Sequence, residues 1–220
     1  MPHANNDRDW ETHFQKFMKR LRKRYGSGIR FFHCGEYGEQ LSRPHYHAIL
    51  FNFDFEDKEL YRQRDHVRLY TSDSLSELWP FGFSTVGEVT FESAAYVARY
   101  IIKKHKGDGA EEHYGKKQPE YCTQSRRPGI AADWFIKYKS DVFPLDKVVV
   151  RNMFPCKPPK YYDYLYDLQE PKKMAIIKGN RKRLAGERVD DNTPDRLADR
   201  EKCQQAKMQR KVRTYETHGV

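Results

Sequence analysis

The chain has only four cysteines, Cys34, Cys122, Cys156 and Cys203, and no two of them form a C-x-x-C pair. That spacing excludes a zinc knuckle and a short disulfide framework, and it predicts reduced thiols in a cytoplasm. Long apolar runs are absent as well. No stretch approaches the roughly 18 apolar residues that a bilayer-spanning helix requires, and the N-terminus is polar and charged, so neither secretion nor membrane insertion is expected. Acidic residues fall short of basic ones, 31 Asp and Glu against 41 Lys and Arg, which leaves a net charge of +10. Such an excess suits a polyanionic partner, nucleic acid first among them. No internal repeat is found.

At 220 residues the chain can bury one moderate core with appendages. Aromatic residues make up 14% of an otherwise hydrophilic sequence, and rings interleaved with cations can stack on bases while the cations meet phosphates. Most single rings in any chain are nevertheless core or loop residues.

Periodicity gives the organisation. Between Trp10 and Arg24 the residues Phe14, Phe17, Met18 and Leu21 recur at helical spacing among lysines and arginines, which predicts an amphipathic helix against a sheet. After the breaker Tyr25-Gly-Ser-Gly28, Ile29 to Gly35 and His45 to Asp54 read as strands joined by a turn-rich stretch. A short helix is expected at Asp73 to Trp79 and a bulged strand around Gly87, from Phe83 to Phe91. Ser93 occupies an N-cap position ahead of a helix from Ala94 to Lys104, and a further helix is expected from Ala131 to Lys139, followed by a strand from Val148 to Arg151. The expected fold is α+β, an antiparallel sheet flanked by helices. Composition divides the chain into a domain at 1–152 and a basic, Tyr- and Pro-containing extension at 153–220, a loose helix or disordered arm over much of its length.

Two clusters carry chemistry. His45 and His47 stand at i and i+2 on a strand, so the period of two points both imidazoles to one face, where they can share a metal ion. Such a pair is weak alone, because exposed strands carry histidines for many reasons. Glu36, at the end of the preceding strand, could add a carboxylate across an antiparallel pairing, and Glu39 in the turn is the competing ligand. Two imidazoles and one carboxylate with open positions suit Mg²⁺ or Mn²⁺ bound together with water and phosphate. The second cluster is Tyr96 and Tyr100, i and i+4 on one helical face, with Arg99, Lys103 and Lys104 close by in sequence. A phenolate can attack phosphorus, and nearby cations lower the pKa of a phenol from about 10. Packing against the sheet is the commoner role of such a tyrosine pair.

Taken together, His45-Tyr46-His47 and the paired tyrosines resemble the HUH endonucleases of the two-tyrosine class. The longer strings Phe31-Phe-His-Cys-Gly-Glu-Tyr-Gly38, Arg43-Pro-His-Tyr-His47, Phe51-Asn-Phe-Asp54 and Ser93-Ala-Ala-Tyr-Val-Ala-Arg-Tyr100 resemble replication initiation proteins of gokushovirus-type microviruses. The resemblance implies rolling-circle replication in the cytoplasm of a bacterial host. One tyrosine would nick the origin of the replicative-form DNA and keep the 5′ phosphate, and the second would cut again after one circuit, releasing a single-stranded circle. It implies a divalent ion at Glu36, His45 and His47, and host helicase, polymerase and single-strand-binding protein as partners. The family's earlier strand, with its cysteines and a Phe-x-Thr-Leu-Thr-like pattern, has no counterpart here, so a central strand is expected to be missing. Two rivals are a non-catalytic nucleic-acid-binding protein and a plasmid or transposon relaxase.

Overall fold

The computed structural model describes residues 10–38, 41, 43–99, 104–150 and 154–210. The chain divides into two compact units, Met1–Ile130 and Ala131–Val220. Composition changes later than packing does, because the helix that opens the second unit carries apolar residues that belong to the core of that unit.

The first unit begins with α1 (Trp10–Tyr25). Its periodic residues Phe14, Phe17, Met18 and Leu21 are all buried, as the pattern predicts. Gly26, at φ 102°, ends the helix in a conformation that disfavours any residue with a Cβ, and its N–H donates to the Arg22 carbonyl. The strands β1 (Arg30–Tyr37) and β2 (Pro44–Phe51) then pair antiparallel. A hairpin follows, β3 (Glu59–Arg64) and β4 (Val67–Thr71), which the sequence reading did not foresee. Next come α2 (Asp73–Leu78), β5 (Val86–Gly87), α3 (Phe91–Arg99), α4 (Ala110–Tyr114) and β6 (Tyr121–Gln124). The strands form two antiparallel sheets, ordered β2-β1-β6 and β3-β4-β5. The α+β class is as expected, with the strands shared between two sheets.

Cross-strand partners share a face of a sheet, so the register sorts the side chains of β1. Phe31, His33, Gly35 and Tyr37 lie on one face with Tyr46, Ala48 and Leu50. Phe32, Cys34 and Glu36 lie on the other with His45, His47 and Ile49. The first face meets α1: the Phe14 ring stacks on His33 at 3.5 Å between centroids and meets Phe31 edge-on. Phe14, Phe17, Met18 and Leu21 continue into a core with Ile29, Phe55, Leu75 and Leu78. Each such side chain contributes roughly 1.5–3 kcal/mol on burial. Ser72 caps α2 by accepting from the Leu75 N–H at 3.0 Å, and its own hydroxyl donates to Asp57.

In the first unit two expected elements differ. The strand predicted from Phe83 to Phe91 shrinks to Val86–Gly87, because the chain turns into α3 already at Phe91. Ser93 therefore lies inside the first turn and closes it reciprocally with Thr90: the Thr90 N–H donates to Ser93 Oγ and the Ser93 N–H to Thr90 Oγ1. The later half of the helix expected to reach Lys104 falls partly on residues 100–103, outside the described residues, and Lys104 is not helical.

The second unit is helical: α5 (Ala132–Val142), α6 (Lys160–Gln169), α7 (Pro171–Gly186), a 3₁₀ turn (Val189–Asn192) and α8 (Pro194–Gln209). The strand expected at Val148 to Arg151 is reduced to one bridge between Val148 and Cys156, and Arg151 lies outside the described residues. Phe135, Val142 and Phe143 pack with Tyr162, Tyr166, Met174 and Ile177. Much of the stretch expected to be loose is thus helical, although α8 has no buried residue. Arg181 on α7 pairs with Asp146 and Asp163, donating through Nε to Asp146 at 2.8 Å and through Nη1 to Asp163 at 2.7 Å.

Two expectations about stability follow. Arg181→Ala strands two partly buried carboxylates side by side and should lower unfolding stability by about 2–4 kcal/mol, read from the midpoint of urea denaturation. His33 is wholly buried, and burial first, then the neighbouring His47, pushes its pKa down to about 3. Below the ordinary value near 6.5 the unfolded chain takes up a proton that the folded chain refuses. Stability should therefore fall between pH 6.5 and about 3, by up to about 1.4 kcal/mol per pH unit from this residue, and denaturation of His33→Phe across that range should show a shallower slope.

Candidate functional site

The face of β1 and β2 turned away from α1 holds the first cluster. Register sets Glu36 opposite His45, and Cys34 opposite His47. Glu36 is 1% exposed, and its Oε1 lies 3.1 Å from His47 Nε2 and 4.0 Å from His45 Nδ1. A carboxylate so deeply buried requires partners that compensate its charge, and the imidazole contact supplies one. The His47 side chain is 26% exposed and that of His45 55%, so the cluster opens to solvent on the histidine side. The three residues the sequence singled out are thus brought together around one carboxylate oxygen. Among the described residues no three His, Cys, Asp or Glu side chains stand at the spacing that holds a metal ion. By residue type alone, two imidazoles and a carboxylate are donors of the kind that a hard divalent ion takes together with water and phosphate. Glu39, the competing ligand, lies outside the described residues.

Glycines shape the space around this cluster. A Cβ on Gly38 would fall 2.7 Å from the His45 ring, so the absence of a side chain there leaves room for the imidazole. A Cβ on Gly35 would stand 2.5 Å from the Tyr121 ring, which covers that position on the opposite face of the sheet.

Of the second cluster, Tyr96 packs on the same face as the first. Tyr96 on α3 is 7% exposed and joins Cys34, with Val97 and Cys122 packed around them. Its ring meets the His47 ring edge-on, 6.2 Å between centroids at 83°. The Cys34 thiol donates to the Val97 carbonyl at 3.7 Å, and burial pushes its pKa well up, so it stays protonated. The Arg99 guanidinium lies 5.9 Å from the Tyr96 ring centroid, close enough for a cation–π contact. Lys104 is half-buried and acts electrostatically on Cys122, lowering its pKa against the dominant effect of burial, which raises it. Tyr100 and Lys103 lie outside the described residues.

Sequence reasoning missed β6 and what it contributes. This strand pairs with β1, setting Cys122 opposite Cys34 and Tyr121 opposite Gly35. The only trace of it in the sequence is the four-residue alternation Tyr121-Cys-Thr-Gln124, too short to stand out from the surrounding Gly, Lys and Pro.

Residues 3–105 match the family described as replication-associated protein ORF2/G2P, and that stretch contains Glu36, His45, His47, Tyr96 and Tyr100. The chain is 33% identical over 198 residues to replication-associated protein VP4 of Bdellovibrio phage phiMH2K, covering 83% of this chain and 61% of that protein. It is 34% identical over 161 residues to replication-associated protein ORF2 of Spiroplasma virus 4, covering 69% of this chain and 48% of that protein. With replication-associated protein ORF4 of Chlamydia phage 1 the identity is 35% over 161 residues, covering 68% of this chain and 39% of the other. The chain therefore spans between two fifths and three fifths of the length of these relatives. No solved structure matches it. The resemblance to microvirus replication proteins read from the motifs is borne out by these matches.

Replacing Gly35 by alanine should drive the new methyl group into the Tyr121 ring and part β1 from β6 locally. The expected loss is about 1–3 kcal/mol in the denaturation midpoint, and a variant as stable as the parent would show that Tyr121 does not need that space.

Proposed function

We propose that this chain carries the catalytic part of a viral replication initiator, which nicks DNA by tyrosine attack and joins it again during rolling-circle replication. The observation that carries the proposal is the edge-on approach of Tyr96 to His47, on the sheet face where Glu36 gathers both histidines. The similarity to replication-associated proteins of three phages supports the same reading.

Glu36, His45 and His47 would hold Mg²⁺ or Mn²⁺, which would supply positive charge at the scissile phosphate. The phenol oxygen of Tyr96 or Tyr100 loses its proton and attacks phosphorus. The bond to the 3′ oxygen breaks, and that oxygen takes up a proton as a free 3′-hydroxyl, leaving a 5′-phosphotyrosine. In the joining step a 3′-hydroxyl attacks the phosphotyrosine, the O–P bond to the protein breaks, and the tyrosine leaves as a phenol. Arg99, with Lys103 and Lys104, would stabilise the phenolate and the phosphate. Residues that hold the nucleophile and the phosphate in line save much of the cost of bringing them together. Viral single-stranded and replicative-form DNA would be the substrate, with host helicase, polymerase and single-strand-binding protein acting around it.

A second reading draws on the burial of Tyr96, which also fits a packing residue. In that reading the chain binds nucleic acid without cutting it.

The full chain should be incubated with tiled, labelled single-stranded oligonucleotides of a related phage genome and Mn²⁺ or Mg²⁺, then run on a denaturing gel. The expected result is a covalent protein–DNA adduct that disappears with EDTA, with Tyr96→Phe combined with Tyr100→Phe, and with His45→Ala combined with His47→Ala. Binding without any adduct would overturn the nickase reading in favour of the binder.

A further inference from the structure

All four cysteines are free thiols, and two of them stand opposite each other across the first sheet. Cross-strand partners share a face, so Cys34 on β1 and Cys122 on β6 both point to the side that carries His47 and Tyr96. In an antiparallel ladder, hydrogen-bonded pairs alternate with non-hydrogen-bonded ones. The Ser125 N–H donates to the Phe31 carbonyl at 2.9 Å, which marks Phe31 and Ser125 as a bonded pair. Three steps along the same register, Cys34 and Cys122 are therefore a non-bonded pair. The other edge of β1 agrees. There the Gly38 N–H donates to the Arg43 carbonyl at 3.0 Å, and alternation from that pair makes Cys34 and His47 a bonded one, which turns the Cys34 backbone toward β2.

Non-bonded partners are the closer kind, with Cα atoms about 4.5 Å apart. That separation falls within the range of roughly 4.4–6.8 Å that a disulfide spans, so no strand has to move far for a bond to form. The two thiols are already in contact: besides burial, which raises both pKa values, a hydrogen bond between them acts on each. Their exposure differs. Cys34 is wholly buried and Cys122 is half-buried, so a small oxidant meets Cys122 first. Cys156 and Cys203 are exposed and belong to the other unit.

We propose that Cys34 and Cys122 form a redox modification site, which closes to a cross-strand disulfide when a hydroperoxide reaches Cys122. The Cys122 sulfur, giving up its proton, attacks one oxygen of hydrogen peroxide. The O–O bond breaks, leaving a sulfenic acid on Cys122, and the departing hydroxide takes the proton as water. The Cys34 sulfur then attacks the Cys122 sulfur. The S–S bond forms, the S–O bond breaks, and the hydroxide leaves with the Cys34 proton as a second water. Two thiols are oxidised and one peroxide is reduced, and a dithiol reverses the bond by exchange.

The product alters the wall it borders. The Cys34 thiol donates to the Val97 carbonyl of α3 at 3.7 Å, and a disulfide has no proton to donate. Oxidation thus removes a tether between β1 and the helix that sets Tyr96 against His47. Its bearing on nicking rests on the function proposed above, whereas formation of the bond does not.

The test treats the full, reduced chain with hydrogen peroxide, unfolds it in an alkylating reagent and maps its peptides by mass spectrometry without reductant. The expected product is one linked pair of peptides, carrying Cys34 and Cys122, lighter by two hydrogen atoms than the two reduced peptides and separated by dithiothreitol. Cys122 recovered as a sulfinic acid, or linked to Cys156 or Cys203 in place of Cys34, would overturn the proposal. So would alkylated Cys34 and Cys122 in a sample whose Cys156 and Cys203 are oxidised. In Cys122→Ser, Cys34 should stay reduced at the peroxide dose that links the parent, and equal oxidation of Cys34 would show that Cys122 is not the entry point. Hydrogen–deuterium exchange reads the consequence: in the oxidised parent the peptide containing Val97 should exchange about threefold faster or more, and dithiothreitol should restore it. Unchanged exchange there would overturn the tether. Neither readout requires the chain to cut DNA, so a missing DNA adduct counts against the nickase reading alone, and the cross-link still decides this site.

Discussion

The pairing of β1 with β2 is the constraint on which the site depends. It brings a carboxylate and two imidazoles from different strands onto one face, with Glu36 opposite His45 and Cys34 opposite His47. A slip of one residue would turn His45 and His47 toward α1 and bring Tyr46, whose ring packs against Trp79, to the outside. What holds the register is mainly the other face. His33 and Phe31 fit under Phe14 only in this pairing, and Leu50 packs against the same core. The hydrophobic side of the sheet thus determines the chemistry of the polar side, although the two sides touch different helices.

That division also explains why the first unit tolerates a buried histidine and a buried glutamate in one short strand. His33 is kept neutral among aromatic rings and is near Thr123, while Glu36 keeps an imidazole within hydrogen-bond distance. The two environments lie on opposite faces of the same strand, aromatic rings on one and imidazoles on the other.

Much of this was legible in the sequence, for identifiable reasons. The helical spacing of Phe14, Phe17, Met18 and Leu21 gave α1 and its buried face, and the two-residue spacing of His45 and His47 put both on one face of a strand. The choice of Glu36 over Glu39 rested on its strand position, and the contact with His47 is consistent with it. Less visible were elements that take their stability from tertiary pairing. The strand β6 is four residues long, and β3 is exposed along its whole length, so neither carries a hydrophobic alternation to announce it. The helix start at Phe91 instead of Ala94 reflects the reciprocal bonds of Thr90 and Ser93, a local choice between two capping residues three positions apart. The hydrogen bond from Tyr114 to Glu120 joins residues whose types are unremarkable and that only the fold brings together.

The strand β3 stands at the end of its sheet, and all six of its residues are exposed. Among the described residues no strand pairs with its outer edge, and such an edge offers a row of backbone donors and acceptors to any other extended chain, including another copy of the same protein. Arg62 and Arg64 occur along it, with Arg68 on the strand beside it, and like charges brought together by edge-to-edge pairing repel. That repulsion works against copies of the chain zipping together edge to edge.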